Sequence, residues 1–244
     1  MSAPIRVAVL GAPGRMGMAV CAAVREDLDL ELVAGIGRND PLSVVIDRGA
    51  EVAVDFTTPG AVKENVRFLL EHGVHAVVGT SGLHDRDLEE IARWVSESRA
   101  NAFVAPNFAV GAVLMMSFAA SAARYFDRAE IVERHHERKL DSPSGTALRT
   151  AALMNAERSA PWQEGREDGL PWRGGNEGGV RIHSLRLPGS VAHQEVVLGS
   201  AGETLSIRHD SIDRSSFMPG VVLAIKAVGR RSGLTVGLEA LLEL

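Results

Sequence analysis

The sequence predicts an α/β chain in two parts, a doubly wound parallel sheet and then an α+β half with a mostly antiparallel sheet. Three observations carry this. Short buried-strand runs alternate with helical patterns through the first hundred residues. A glycine-rich turn, GAPGRMG, joins the first strand run to the first helical pattern. Beyond residue 107 the strand candidates alternate apolar with polar residues, as half-buried strands do.

Taken in order, IRVAVL (5–10) is a buried strand, and Met16, Ala19, Val20, Ala23 and Val24 recur at helical spacing behind the glycines. ELVAGI (31–36), EVAVDF (51–56), HAVVGT (75–80) and AFVAP (102–106) repeat the strand signature, with helical segments near 60–72 and 84–99 between the last three. Continuous apolar strands separated by helices indicate a parallel sheet covered on both faces. GAVLMMSFAASAARYF (111–126) reads as an apolar helix, AEIVERHH (129–136) as an alternating strand, and 143–158 as a second helix. Residues 161–179 hold six glycines and two prolines and read as a long mobile loop, a lid or an insert. HSLRL, AHQEVVLG and ETLSIRHDS follow as strands, the last two joined at SAG in a hairpin. A helix over 219–230 and the apolar LTVGLEALLEL suit a return to the first part.

Composition excludes several classes. The chain has 244 residues, 45% hydrophobic and 23% charged, which is the balance of a folded globule of one large or two small domains. Its net charge of −5 gives no global field for nucleic acid or anionic lipid. A single cysteine, Cys21, forms no intrachain disulfide and fits a reducing compartment. The first residues meet a glycine loop too early for a signal peptide or a membrane span, so the expected location is the cytoplasm.

Glycines 11, 14 and 17 lie directly after a strand and before a helix. This is the Rossmann-type arrangement, in which the backbone turns tightly and a pyrophosphate rests on the helix N-terminus. A merely structural tight turn is the alternative. At the end of the second strand, where a dinucleotide site usually carries an acid for the ribose 2′-hydroxyl, stands Gly37, followed by Arg38. Arg38 would attract a 2′-phosphate, so NADPH is favoured slightly over NADH. Arg38 as a solvated loop residue, or Asp40 swinging in for NADH, are the competing readings.

The stretch ERHHERKLDSPSGTA (133–147) poses a sharper question. On a strand His135 and His136 point to opposite sides, and HExxH spacing is absent, so a shared metal is disfavoured. Ser142 and Pro143 suit the cap and first turn of the following helix. The free N–H groups there, with the Ser144 and Thr146 hydroxyls and Lys139, would make a carboxylate pocket. Either histidine supplies a proton near neutrality, the ordinary histidine pKa being about 6.5. The residues alone leave a helix cap with solvated charges equally open.

At this point the chain resembles the dihydrodipicolinate reductase family over essentially its whole length, and most of all the actinobacterial members. The resemblance rests on VAVLGAPGRMG, VDFTTP, VVGTSGL, APNFAVGAVLM, EIVERHHERKLDSPSGTA and GETLSIRHDSIDRSSFMPG, with NDPLS and GLTVGLEALLEL. It implies that His135 is the proton donor and Lys139 the second catalytic residue. It implies that His136, Lys139, Ser144, Gly145 and Thr146 bind a dicarboxylate. The pyrophosphate loop becomes Gly11, Ala12, Pro13, Gly14, Arg15 and Met16. Gly79, Thr80 and Ser81, with Ala105, Pro106, Asn107 and Phe108, would line the nicotinamide side. Residues 1–106 and 218–244 become the dinucleotide-binding domain, and 107–217 the substrate and tetramerisation domain. Hinges would fall near 106–108 and 217–220. Gly37 departs from the family pattern, which bears on cofactor choice rather than on activity.

The reaction implied is reduction of a cyclic dicarboxylate to tetrahydrodipicolinate, in the diaminopimelate route to lysine. An amino-acid dehydrogenase of the same architecture would not need the HHxxK and PSGT elements together. A cofactor-sensing regulator would tolerate their loss. His72, His75, His84, His193 and His209 read as packing, surface or subunit-contact residues, and Trp162 and Trp172 as either packing or closing over substrate.

Overall fold

The structure is a computed structural model that describes residues 3–163 and 172–242. The chain divides into two compact units, Met1–Val110 with Phe217–Leu244, and Gly111–Ser216. The first holds a six-stranded sheet of β1 (Ile5–Leu10), β2 (Leu30–Ile36), β3 (Val52–Asp55), β4 (His75–Val78), β5 (Ala102–Val104) and, after the second unit, β11 (Leu234–Val236). Its order is β11-β5-β4-β3-β1-β2, and every pairing is parallel. Growth runs from β1 to β2 on one side and to β3 on the other. The topological switch point, where ligands of open α/β sheets bind, therefore lies at the carboxyl end of β1.

The strands are continuously apolar because helices cover both faces. Ala8, Leu10, Ala53, Ala76 and Val78 pack with Val62, Val66, Leu69 and Leu70 of α3 (Pro59–Glu71) and with Ile91 and Val95 of α4 (Asp85–Ser96). α1 (Arg15–Glu26) packs with α7 (Met218–Val228). Pro59 opens α3 at a first-turn position, where its missing N–H has no partner to lose. One short helix, α2 (Ser43–Asp47), stands where sequence periodicity gave no sign of one, because five residues are too few to show it.

In the second unit α5 (Val110–Ala123) and α6 (Gly145–Ala156) pack on a sheet of β6 (Arg128–His135), β7 (Gly175–Glu177), β8 (Val180–Arg186), β9 (Ala192–Ser200) and β10 (Glu203–Ser211). The order is β10-β9-β6-β8-β7, antiparallel except between β6 and β8. Alternation decides what is buried. Ala129, Ile131 and Glu133 of β6 lie on the same side as Val180 and Ile182 of β8 and Gln194, Val196 and Leu198 of β9. Met154, Ala147 and Ala151 of α6 and Ala119 and Ala123 of α5 close over that side.

Two expectations are corrected. α6 is capped by Ser144, not Ser142; Ser144 has the extended backbone of a cap and its Oγ accepts from Ala147 N at 3.2 Å. Pro143 consequently lies outside the helix. The supposed loop of 161–179 contains β7, and Trp162 is buried, donating Nε1–H to Asn155 Oδ1 at 2.7 Å beneath the Arg158 guanidinium. Trp172 is exposed, and positions 164–171 of that segment lie outside the described residues. Among the described residues no helix is long and apolar enough to cross a membrane.

Asn101 attaches the returning C-terminal segment to the first sheet. Its Nδ2 donates to Val228 O at 3.0 Å, its Oδ1 accepts from Gly233 N at 3.1 Å, and its own N–H donates to His75 Nδ1 at 2.9 Å. Asn101→Ala removes the two side-chain bonds and leaves the Gly233 N–H without its acceptor, while Val228 O keeps the Arg231 N–H at 3.4 Å. The expected cost is about 1–3 kcal/mol in chemical denaturation; an unchanged midpoint would show that the attachment is held elsewhere.

Candidate active site

The first unit gathers the candidate nucleotide-binding residues along one edge of its sheet. Gly11, at φ +79°, leaves β1 at the switch point, and a Cβ there would collide with the Phe56 carbonyl oxygen. Gly11 N and Ala12 N are held by Ile36 O at 2.8 and 3.0 Å, which ties the loop to the end of β2. Gly14, extended and without a side chain, caps α1, and no acidic residue stands in the first turn. The N–H groups of Arg15, Met16 and Gly17 have no acceptor within the helix. A positive helix end with no carboxylate in its first turn and with glycines at 11, 14 and 17 fits a pyrophosphate. Pro13 lies against Gly37, where a Cβ would come within 3.2 Å of its Cγ.

Position 37 is not without an acid nearby. Asp40 Oδ2 accepts the Gly37 N–H at 2.8 Å, so a carboxylate sits beside the glycine itself. Arg38 is exposed and has no hydrogen-bond or ion-pair partner among the described residues.

Asp55, fully buried at the end of β3, organises the neighbouring loops. Its Oδ1 accepts from Thr57 N (2.9 Å), Thr57 Oγ1 (2.7 Å) and Thr80 Oγ1 (2.6 Å), and its Oδ2 from Asn65 Nδ2 (2.8 Å). This fixes Thr80 between half-buried Gly79 and exposed Ser81. Gly79 must be glycine, since a Cβ would enter the Phe56 ring. Phe108 is buried against Phe56 and Phe103, with ring centroids 6.0 and 6.2 Å away. Ala105 is buried, Pro106 is exposed, and Asn107 Oδ1 accepts from Ala109 N at 2.9 Å ahead of α5.

The second unit gathers a different set at the carboxyl end of β6. His135 Nδ1 lies 2.6 Å from Glu133 Oε2, two residues back on the same face. Arg186 Nη1 and Nη2 each meet a Glu133 oxygen at 2.8 Å, a two-point grip, and Oε1 also accepts the Ser144 N–H at 3.1 Å. Burial alone pushes the Glu133 carboxyl up. Hydrogen bonds from His135, Arg186 and Ser184 outweigh it and bring the group from 4.5 down to about 2.

Lys139 Nζ reaches both oxygens of Asp141 at 2.8 Å, and this hydrogen bond holds the Asp141 carboxyl below its usual range. Lys139 N donates to His136 O at 3.1 Å, closing the turn that follows β6. His136 Nδ1 is buried without a partner among the described residues. Next comes the N-terminus of α6, with no acidic residue in its first turn and open space beside Gly145. Ser144 is almost fully buried, its oxygen committed to the cap and its hydroxyl proton still able to donate. Thr146, in the first turn, accepts at its carbonyl from Thr150 Oγ1 at 2.7 Å.

His135, Lys139, Ser144, Gly145 and Thr146 thus share one end of one sheet, and the cofactor candidates share one edge of the other. Sequence reasoning missed Asp55, Glu133, Asp141 and Arg186. Glu133 was legible by alternation from His135. Arg186 was not, because only the β6–β8 register sets it opposite His135.

Comparison with known proteins agrees across the chain. The family "Dihydrodipicolinate reductase, N-terminus" matches residues 5–108, and "Dihydrodipicolinate reductase, C-terminus" matches 111–242. The 4-hydroxy-tetrahydrodipicolinate reductase of Nocardia farcinica is 53% identical, covering 98% of this chain and 99% of its own. A dipicolinate-bound dihydrodipicolinate reductase from Paenisporosarcina sp. TG-14 superposes with a TM-score of 0.87 at 36% identity, over 97% of this chain and 99% of that one. An amine dehydrogenase from Mycobacterium smegmatis, at 13% identity and a TM-score of 0.67 over 96% and 95% of the two chains, shares the fold alone. The chain belongs to the dihydrodipicolinate reductase family.

Proposed function

We propose that this chain reduces 4-hydroxy-tetrahydrodipicolinate, or the dihydrodipicolinate derived from it, to tetrahydrodipicolinate, with His135 as proton donor and Lys139 as carboxylate ligand. The chain is an oxidoreductase of lysine biosynthesis through diaminopimelate, as its family membership states. The observation that carries the residue roles is the joint placement of His135, Lys139 and the α6 N-terminus at one end of the second sheet.

A reduced nicotinamide, when bound, supplies the hydride. The residues fit to hold it are Gly11, Ala12, Pro13, Gly14, Arg15 and Met16 for the pyrophosphate, and Gly79, Thr80, Ser81, Ala105, Pro106, Asn107 and Phe108 on the nicotinamide side. Arg38 would attract a 2′-phosphate, while Asp40 beside Gly37 suits a free 2′-hydroxyl. The proposal is use of both cofactors, with NADPH slightly favoured.

The other residues act on the dicarboxylate. One carboxylate docks at the α6 N-terminus, on Ser144, Gly145 and Thr146, where helix dipole and N–H groups favour an anion. Lys139 takes a carboxylate in place of Asp141, with His136 beside it in the same turn. Held at these points, the ring is oriented for reaction. Electron density released at the far end of the conjugated system collects the His135 proton from Nε2, the nitrogen left over when Nδ1 is held by Glu133.

The proposed division of labour gives 1–106 and 218–244 to the dinucleotide and 107–217 to substrate and tetramer assembly, in the cytoplasm. The outward side of the second sheet supports the assembly. It carries the Glu130–His183 and Asp210–His193 pairs with half-exposed Leu185, a mixed surface suited to a second copy.

The first test is oxidation of NADPH and of NADH, followed by absorbance, with substrate made in situ by the preceding synthase. His135→Gln should lower kcat by about 10²–10⁴ with little change in cofactor affinity; full turnover would remove His135 from the chemistry. Lys139→Ala should raise the substrate KM and lower kcat together, whereas a loss of thermal stability alone would make Lys139 structural. Arg38→Ala should raise KM for NADPH and spare NADH, and an equal change with both would discard the 2′-phosphate role.

A further inference from the structure

Glu133 is a carboxylate on the inward side of β6, in line with Ala129 and Ile131, where an apolar residue would pack without desolvating a charge. It is the only fully buried acidic side chain among the described residues of the second unit. Nothing in the fold alone requires it there. Its position is explained by what its two oxygens hold. Oε2 takes His135 Nδ1 and Arg186 Nη1, and Oε1 takes Arg186 Nη2 and the Ser144 N–H. The second guanidinium nitrogen goes on to Asp141 O at 2.6 Å, in the turn that carries Lys139.

We infer that Glu133, with Arg186 as its counter-ion, is the positioning residue of this reduction. It holds the proton donor by Nδ1 and the carboxylate-binding turn by the Ser144 N–H, and so sets the distance and orientation between them. The inference rests on the reading of His135 as proton donor.

The chemistry follows from the contacts. In the protonated imidazole both nitrogens carry hydrogen, one directed to Glu133 Oε2. As the Nε2–H bond breaks and the new C–H bond forms on the substrate, the imidazole is left neutral with Nδ1–H still donated to the carboxylate. Glu133 does not take that proton. Its convergent donors, including a two-point guanidinium, keep it ionised at every step. Without it, the ring is free to choose the other tautomer and to rotate about χ1 and χ2. Arg186 then faces the ring as an uncompensated cation. The N–H of Ser144, the cap residue, also loses its acceptor, so the proton donor and the carboxylate grip loosen at once.

A merely structural Glu133 would lower stability and leave the catalytic step to His135. The discriminating experiment is a cycle of Glu133→Gln, His135→Gln and the double variant. Its readouts are kcat, substrate KM, NADPH affinity and melting temperature. Glu133→Gln should lower kcat by about tenfold or more while leaving NADPH affinity unchanged. In the His135→Gln background it should lower kcat no further, because the proton donor it positions is gone. Equal losses in both backgrounds would overturn the inference, as would full turnover in the single variant. If His135→Gln itself retains full turnover, the donor reading fails first, and the two failures are told apart. Should Glu133→Gln not fold, the wild-type protein answers directly. With ¹⁵N-labelled histidine, ring shifts of neutral His135 should show hydrogen on Nδ1, and the Nε2–H tautomer would overturn the proposal.

Discussion

A carboxylate taken out of water has to be saturated with donors, and in the second unit that constraint decides the layout. Glu133 can lie inside the sheet only because Arg186, His135, Ser184 and the Ser144 N–H converge on it from β8, from β6 itself and from the cap of α6. The low carboxyl value of about 2 is the thermodynamic face of this convergence. Since the folded value lies below the ordinary 4.5, the group stabilises the fold fully above 4.5 and ceases to do so as pH falls through about 2. The same contacts that keep it charged hold three separate chain segments at one point.

The first unit meets the same problem in the same place. Asp55 closes β3, is fully buried, and gathers Thr57, Asn65 and Thr80 from the loop after it, the helix beyond and the end of the next strand. In both units an acid at the carboxyl end of a strand ties down the turns that follow. In the parallel first sheet that is the end where open α/β folds bind ligands, so there the polar cost falls where positional accuracy is worth most. Around Asp55, Gly11 and Gly79 remove the Cβ atoms that would collide with Phe56, and the loops close without a gap.

Much of this was legible in the sequence. The parallel sheet followed from strands without polar alternation, the switch-point loop from three glycines between a strand and a helix, and the second sheet from runs such as ETLSIRHDS. What escaped was non-local or short. Five residues of α2 and three of β7 carry no period long enough to read. The cap of α6 moved from Ser142 to Ser144 because a cap is defined by backbone conformation, and several adjacent serines offer the same hydroxyl. Arg186 joined the site through register alone, fifty-three residues from Glu133. Alternation set His135 and His136 apart, yet its closer implication, that Glu133 shares a face with His135, needed the same rule applied one step back.

The two ion pairs of the second unit differ in kind, and the difference explains which parts hold and which yield. Lys139–Asp141 is a partly exposed pair with Asp141 59% accessible, and exposed pairs of this sort contribute about 0–1 kcal/mol. With Lys139 in its proposed role, a ligand carboxylate would exchange with Asp141 at little cost. Glu133–Arg186 is the opposite. Glu133 is wholly inaccessible, and breaking such a pair strands a charge in the core at about 3–5 kcal/mol. With His135 as the proposed proton donor, a site built from one replaceable pair and one irreplaceable pair would take in an anion without disturbing the frame that holds that ring. Exchanging the two burials would reverse this, with a lysine too tightly held to release its carboxylate and a histidine too loosely held to aim.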